Sequence, residues 1–151
     1  MRSTGKGEII AEVMFEKNAA HQEWLESFLQ EFGAAAGSVH EQRDGDLYLT
    51  AAHHLPPPVI AAVAHVPYGK GMAGLAQSKK VPVQTCNLQT DDTGNIKPGA
   101  KAVNAQAAVA VPVMDESSEV VAVVGIAWMK EGAIGPEQEQ TIMSRARSLP
   151  R

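Results

Sequence analysis

Residues 120–128 constrain the fold of this 151-residue chain more than any other segment. They read VVAVVGIAW, so apolar side chains occupy both faces of the predicted strand. Such a strand must be covered on both sides, which places it at the centre of a sheet between two layers. Residues 105–114 are also mostly apolar, and the polar residues 115–119 join the two segments. The sequence therefore predicts a buried β-hairpin in the last third of the chain.

The first third predicts a helix followed by a second hairpin. Apolar residues recur at helical spacing between Ala20 and Phe32, with Asn18 as a suitable N-cap and Gly33 or Gly37 as a suitable stop. Residues 38–43 and 47–53 predict two strands around the sequence Asp-Gly-Asp, because Asp-Gly favours tight hairpin turns.

The middle of the chain predicts short elements, and the end predicts a helix. Pro56, Pro57 and Pro58 favour a helix start, and a Gly-rich turn and a helical stub follow before a strand over residues 81–88. Residues 136–148 predict a terminal helix that begins at a proline. With strand pairs dominant and helices at the ends, the order indicates an α+β fold with an antiparallel sheet.

Charge and cysteine content exclude several classes of function. The net charge is −4, and the densest basic stretch is Lys79-Lys80, so no cationic face for nucleic acid is expected. The single cysteine, Cys86, cannot form an intramolecular disulfide and fits a reducing compartment. The longest apolar run, residues 120–129, is about half of the ~20 residues that a membrane helix needs. We therefore expect a cytoplasmic protein that binds neither nucleic acid nor membrane.

Three segments resemble the GAF domain family. Residues 66–76, VPYGKGMAGLA, resemble the family's Gly-rich turn and helix, with its pattern G-x-G-x-x-G-x-A. Residues 109–113, VAVPV, are similar to a family strand that ends in a v-P-l pattern. Residues 123–126, VVGI, are similar to the family strand that pairs with it. The order of these segments carries the resemblance over nearly the whole chain.

The resemblance implies a six-stranded antiparallel sheet with the terminal helices on one face. On the other face it implies a ligand pocket enclosed by the Gly turn, the third predicted strand and a long loop. It also implies a homodimer, which we expect to form through Trp24, Phe28 and the terminal helix. We assign residues 1–15 to a tail or leading helix and residues 16–151 to the GAF domain.

Gly69, Gly71 and Gly74 spell the G-x-G-x-x-G of dinucleotide-binding proteins. In those proteins the motif opens a helix that crosses to a parallel strand, whereas here Pro82 follows Gly74 after seven residues. The dinucleotide interpretation is therefore rejected. We expect Gly69 and Gly71 to adopt unusual φ angles and Gly74 to let the helix approach the sheet.

Cys86 raises the alternative of an enzyme. One branch of the GAF family reduces free methionine sulfoxide with cysteine thiolates, but the sulfenic acid so formed needs a resolving thiol that this chain lacks. Residues 91–96 read DDTGNI where those enzymes carry a Gly-His-Ile-Ala-Cys-Asp type segment. The family's signatures for cyclic nucleotides and bilins are absent as well, and the five histidines form no familiar metal set.

The remaining candidate is a small-molecule pocket beneath a polar loop. Residues 89–101 have no predicted structure, and a stretch of this kind commonly forms a lid or binding loop. A mixture of apolar walls and a few polar groups is typical of small-ligand sites. The predicted site residues are Tyr68, Met72, Leu75, Val83, Cys86, Leu88, Asp91, Asp92, Asn104 and Trp128.

The sequence thus predicts a non-catalytic sensor or regulatory domain in signal transduction. We assign it no cofactor or metal, but an unidentified small organic ligand and an effector protein that receives the signal in trans. Two alternatives stay open at this point. One is a reductase that uses Cys86, and the other is a degenerate GAF domain that serves only as a dimerisation scaffold.

Overall fold

A computed structural model describes residues 15–85, 107–129 and 134–151. In these ranges six strands form one sheet in the order β3-β2-β1-β6-β5-β4, and every neighbouring pair is antiparallel. The same ranges contain four helices, as the predicted α+β class requires. The strands are β1 (Ala36–Arg43), β2 (Asp46–His53), β3 (His65–Val66), β4 (Val83–Thr85), β5 (Ala107–Met114) and β6 (Val120–Trp128), and the helices are α1 (Ala19–Phe32), α2 (Pro57–Val63), α3 (Gly71–Lys79) and α4 (Pro136–Ala146).

Strand β6 lies inside the sheet, between β1 and β5, and is covered on both faces as its composition predicts. Val124 and Ile126 face α1 and α4, whereas Val123 packs in a separate cluster on the opposite face. The predicted hairpin of β5 and β6 is therefore confirmed, with the polar loop at residues 115–119.

Helices α1 and α4 form one layer against the sheet. Asn18 caps α1, since its side-chain oxygen accepts a hydrogen bond from the His21 amide at 3.0 Å, and Gly33 ends α1 in the left-handed conformation. Helix α4 begins at Pro136 with acidic residues in its first turn. The core between these helices and the sheet comprises Leu25, Phe28, Leu29, Val39, Ala51, Val109, Val111, Val113, Ala122, Val124, Ile126, Ile142, Ala146 and Leu149.

Aromatic residues of α1 belong mainly to this core. Phe28 is 3% exposed and stacks on Trp24, whose ring centroid lies 4.5 Å away. The Trp24 indole N–H donates to Ser148 Oγ at 2.8 Å, which ties α1 to the segment after α4. Phe28 is thus buried within one chain and is not available as a contact between two chains. The homodimer itself stays a prediction.

Helices α2 and α3 cover the opposite face of the sheet. Gly69 and Gly71 have φ angles of +77° and +65°, which confirms the conformation predicted for them. The role predicted for Gly74 is wrong in one respect. A Cβ on Gly74 would lie 2.9 Å from the carbonyl carbon of Gly69, so Gly74 lets α3 approach the preceding turn rather than the sheet.

Two glutamine side chains make paired hydrogen bonds with backbone groups of other segments. The Gln22 amide donates to the Ala52 carbonyl at 2.8 Å and accepts from the Ala52 N–H at 3.1 Å. The Gln84 amide makes the same pair of bonds with Ile134, at 3.3 and 2.9 Å. Each side chain therefore satisfies backbone groups that an unpaired strand or loop would leave open.

His21 joins three parts of the chain. A carbonyl oxygen can only accept, so His21 Nε2 carries the proton that it donates to the Pro150 carbonyl at 2.9 Å. Its Nδ1 lies 2.7 Å from Thr50 Oγ1 on β2. This buried imidazole links α1, the sheet and the end of the chain.

Three parts of the sequence predictions lie outside the described residues. They are residues 1–14 of the tail or leading helix, residues 86–88 of the strand predicted over residues 81–88, and the loop at residues 89–101. Within the described ranges, no helix has both the length and the apolarity needed to cross a bilayer.

We expect Gly37→Ala to destabilise the domain by about 1–3 kcal/mol because the site is already filled. A Cβ at this position would lie 2.8 Å from Leu29 Cδ2 and 2.9 Å from the Gly125 carbonyl oxygen. Gly135→Ala is the matched control, since nothing lies within 4 Å of its Cβ position. Urea unfolding measures both variants, and equal losses of stability would contradict the close packing of α1 on β1.

We expect His21→Leu to lower the free energy of unfolding by about 1–3 kcal/mol, because it leaves Thr50 Oγ1 and the Pro150 carbonyl without their buried partner. Glu23→Leu, at an exposed position on the same helix, is the control. A midpoint of urea unfolding that moves equally in both variants would show that the histidine contributes only apolar contact.

Candidate functional site

The face of the sheet opposite α1 and α4 carries three cross-strand rows of side chains. The register of β1, β6 and β5 aligns them one row after another. The first two rows consist of small residues, and the third is larger. In order, the rows are Ala36–Ala127–Ala108, Ser38–Gly125–Ala110 and His40–Val123–Pro112.

A cavity of about 130 Å³ lies over the two rows of small residues. Leu55, Val59 and Met72 pack against the first row, and the small side chains of the sheet leave the remaining space open. Leu55 and Val59 cover the cavity from the side of α2, and Met72 and Ala73 cover it from α3. The cavity is thus a direct consequence of residue size along three adjacent strands.

The lining is mostly apolar and has three side chains with polar groups. The Ser38 hydroxyl lies in the middle row, 3.2 Å from the position that a Cβ on Gly125 would occupy. His40 is 3% exposed, and its Nε2 donates to the Val63 carbonyl at 2.8 Å, which fixes the ring against α2. Lys70 stands at the rim and is exposed. The polar groups are therefore few, and the imidazole of His40 is held by its hydrogen bond.

The Gly-rich turn that leads to the cavity is fixed by Asp46. One carboxylate oxygen lies 2.8 Å from His65 Nε2, and the other accepts from the Tyr68 amide at 3.1 Å. The hydrogen bond with His65 and then that with Tyr68 lower the pKa of the Asp46 carboxyl. These bonds attach the turn to β2, so that α3 begins beside the cavity.

The lining of the cavity combines apolar walls with a few hydrogen-bonding groups. In the part of the chain that the structure describes, no group of three His, Cys, Asp or Glu side chains could hold a metal ion. The space accepts an apolar body, and Ser38 offers a hydroxyl that can both donate and accept a hydrogen bond.

Of the residues predicted for the site, Met72 lines the cavity. Tyr68 is in the preceding turn and is 57% exposed. Val83 packs beside α3 in the cluster of Leu47, Val66 and Ala76. Leu75 is half-buried on α3 and is not part of the cavity lining.

Trp128 is not in the cavity, contrary to the prediction. It packs against the core beneath α1 and α4, and its indole N–H donates to the Phe32 carbonyl at 3.0 Å. Trp128 alternates in phase with Val124 and Ile126, which all face the helical layer. The remaining predicted site residues, Cys86, Leu88, Asp91, Asp92 and Asn104, lie outside the described ranges.

The sequence predictions missed the residues that form the floor of the cavity. Ala36, Ser38 and His40 are on β1, which was predicted as a strand from Ser38 with no role in the site. The sequence did carry a sign of this floor, because the small residues Ala108, Ala110 and Gly125 alternate with larger apolar residues in their segments. This sign could not be used without the register that brings these positions together.

The model of the family described as GAF domain matches residues 20–146. Among solved structures, the fold is similar to that of the GAF domain of a phosphoenolpyruvate-protein phosphotransferase from Coxiella burnetii, at 16% identity and a TM-score of 0.72, over 94% of this chain and 86% of that one.

Two reductases have similar structures. One is the type II free methionine-R-sulfoxide reductase from Thermoplasma acidophilum, at 19% identity and a TM-score of 0.64, covering 91% of this chain and 89% of that one. The other is the free methionine-R-sulfoxide reductase from Neisseria meningitidis in complex with its substrate, at 13% identity and a TM-score of 0.67, covering 99% and 90%.

Identities this low show a shared fold and no more. No match is found among curated protein sequences. The family model nevertheless spans the helical layer, the sheet and the cavity, since it runs from the start of α1 to the end of α4. The chain therefore belongs to the GAF domain family.

Proposed function

We propose that this GAF domain is a non-catalytic sensor that binds a small organic ligand in the cavity between the sheet and helices α2 and α3. The observation that carries the proposal is the cavity of about 130 Å³ over the small residues of β1, β5 and β6. A folded interior is otherwise close-packed, and large empty spaces are rare because they cost stability. A cavity of this size supports a binding role.

The lining supports the same proposal. Small-ligand sites are concave and mostly apolar, with a few polar groups that orient the ligand. Here the apolar wall comes from Val59, Val66 and Met72, and the polar groups come from Ser38 and His40. The hydrogen bond from His40 to the Val63 carbonyl keeps the imidazole in one orientation before any ligand arrives.

The sheet connects the cavity to the helical layer. Strand β1 lines the cavity with Ser38. The preceding residue, Gly37, lies against α1, where an added Cβ would be 2.8 Å from Leu29 Cδ2. A ligand that moves β1 by a fraction of an ångström would therefore press on α1, because β1 and α1 are closely packed at Gly37. Helices α1 and α4 are the elements from which we propose that a signal passes to a second copy of the chain or to an effector protein.

We expect a ligand found by a thermal-shift screen of metabolites and nucleotides to lose its effect in Ala127→Leu. At 100 times its Kd, a ligand adds about 2.7 kcal/mol, which raises the Tm of a domain of this size by roughly 5–10 °C. Ala127 lines the cavity and is half-buried, so a larger side chain fills the ligand's space.

Ala62→Leu, at an exposed position on α2 outside the cavity lining, is the matched control and should keep the full shift. A screen without any hit would contradict the proposed sensor function. It would favour the alternative of a degenerate GAF domain that serves only as a dimerisation scaffold. A hit with equal shifts in both variants would show that the ligand binds elsewhere.

The reductase remains the alternative function, because two similar structures are reductases of free methionine-R-sulfoxide. We expect no consumption of methionine sulfoxide by the wild type with a dithiol reductant, since residues 91–96 lack the cysteine-bearing segment of those enzymes. The added dithiol can itself reduce a sulfenic acid on Cys86, so the assay also tests a mechanism that uses one cysteine. Chromatographic quantification of methionine is the measurement, and Cys86→Ala is the matched variant. Turnover in the wild type that disappears in Cys86→Ala would replace the sensor with the enzyme.

A further inference from the structure

We infer that the cavity selects compact, uncharged compounds of a single ring that carry one hydrogen-bonding group, as phenol does. This inference rests on the proposed function and specifies the ligand class of the same cavity. It is carried by the size of the cavity, by the flat floor of small residues and by the position of Ser38.

The volume limits the enclosed part of a ligand to about one ring. An apolar cavity of about 150 Å³ holds one benzene molecule, and drug-sized ligands occupy pockets of about 300–1,000 Å³. The cavity of about 130 Å³ is close to the first value and less than half of the second. A nucleotide, which combines a base, a sugar and a phosphate, exceeds this space.

The floor favours a flat molecule. The methyl groups of Ala36, Ala127 and Ala108 lie in one row, with strands about 4.8 Å apart, and the next row is equally low. The third row ends this platform, because the buried side chains of His40, Val123 and Pro112 stand higher. Leu55, Val59 and Met72 pack against the first row. A flat ring can therefore lie between these side chains and the two low rows, with its edge against the third row.

The lining favours an uncharged ligand with one polar group. None of the described lining residues carries a carboxylate, and the one ammonium group, that of Lys70, is exposed at the rim. A buried charge without a partner is costly. The Ser38 hydroxyl, in contrast, projects over Gly125 in the middle of the platform, where it can bond to a hydroxyl on the ring.

Alanine methyl groups provide a direct readout. In protein labelled with ¹³C at alanine methyls, phenol should shift the signals of Ala36, Ala108, Ala110 and Ala127, which line the cavity. The signals of Ala61 and Ala62, on the exposed side of α2, should stay in place. Titrations with phenol, toluene and adenosine monophosphate then compare one ring with a hydroxyl, one ring without it and a nucleotide.

We expect phenol to bind most tightly, toluene more weakly and the nucleotide not at all. Ser38→Ala should weaken phenol about fivefold, the equivalent of one hydrogen bond, and leave toluene unchanged. Ala127→Leu should abolish the response to both rings, while Ala62→Leu should respond as the wild type does.

The outcomes separate this inference from the proposed function. Binding of the nucleotide at the same methyl groups would overturn the ligand class and leave the sensor in place. Equal affinity for phenol and toluene, or no effect of Ser38→Ala, would overturn the role of the hydroxyl and with it the inference. An absence of response to all three compounds overturns the inference, and a failed metabolite screen in addition overturns the sensor.

Discussion

The structure depends on the burial of β6 on both of its faces. An apolar strand can be stable at the centre of a sheet only when a second layer covers each side. On one side the layer is α1 and α4, which pack against large residues such as Val124 and Ile126. On the other side α2 and α3 provide the cover. Every other feature follows from how well each layer fits its face of the sheet.

The two faces differ in the size of their side chains. Valine and isoleucine fill the space beneath α1 and α4, so that this layer has the density of an ordinary core. On the opposite face, alanine, serine and glycine occupy the first two rows of the three central strands. Leu55, Val59 and Met72 pack against the first of these rows, and the short residues of the sheet leave a cavity beside them. Both faces therefore carry buried apolar clusters, and the cavity lies on the face with the smaller side chains.

The hydrogen bonds at the borders of the sheet keep this arrangement in register. Gln22 closes the outer side of β2, and Gln84 joins β4 to the segment before α4. His21 connects β2 to the end of the chain. Since these bonds are made by side chains of distant segments, they fix the position of the helical layer on the sheet as well as the strand edges. In the proposed sensor, a movement of β1 would therefore act on packed elements.

The sequence by itself determined the elements that depend on local chemistry. Helix α1 begins after Asn18 and ends at Gly33. Asp44 and Gly45 have positive φ angles and form the predicted turn between β1 and β2. The apolar run of β6 predicted its central position, and three short motifs predicted the family. All of these follow from the conformational preferences and hydrogen bonds of residues close together in the chain.

Only the tertiary structure decided which side chains form the cavity. The register shift between Val39 and His40 places Leu47 and Ala51 on opposite faces of the sheet, although simple alternation would put both on the same one. Likewise, alternation groups Trp128 with Val124, but it does not say which layer they face. Ser38 and Gly125 become neighbours only through pairing between segments far apart in sequence. Such pairing depends on long-range packing, which no local pattern in the sequence encodes.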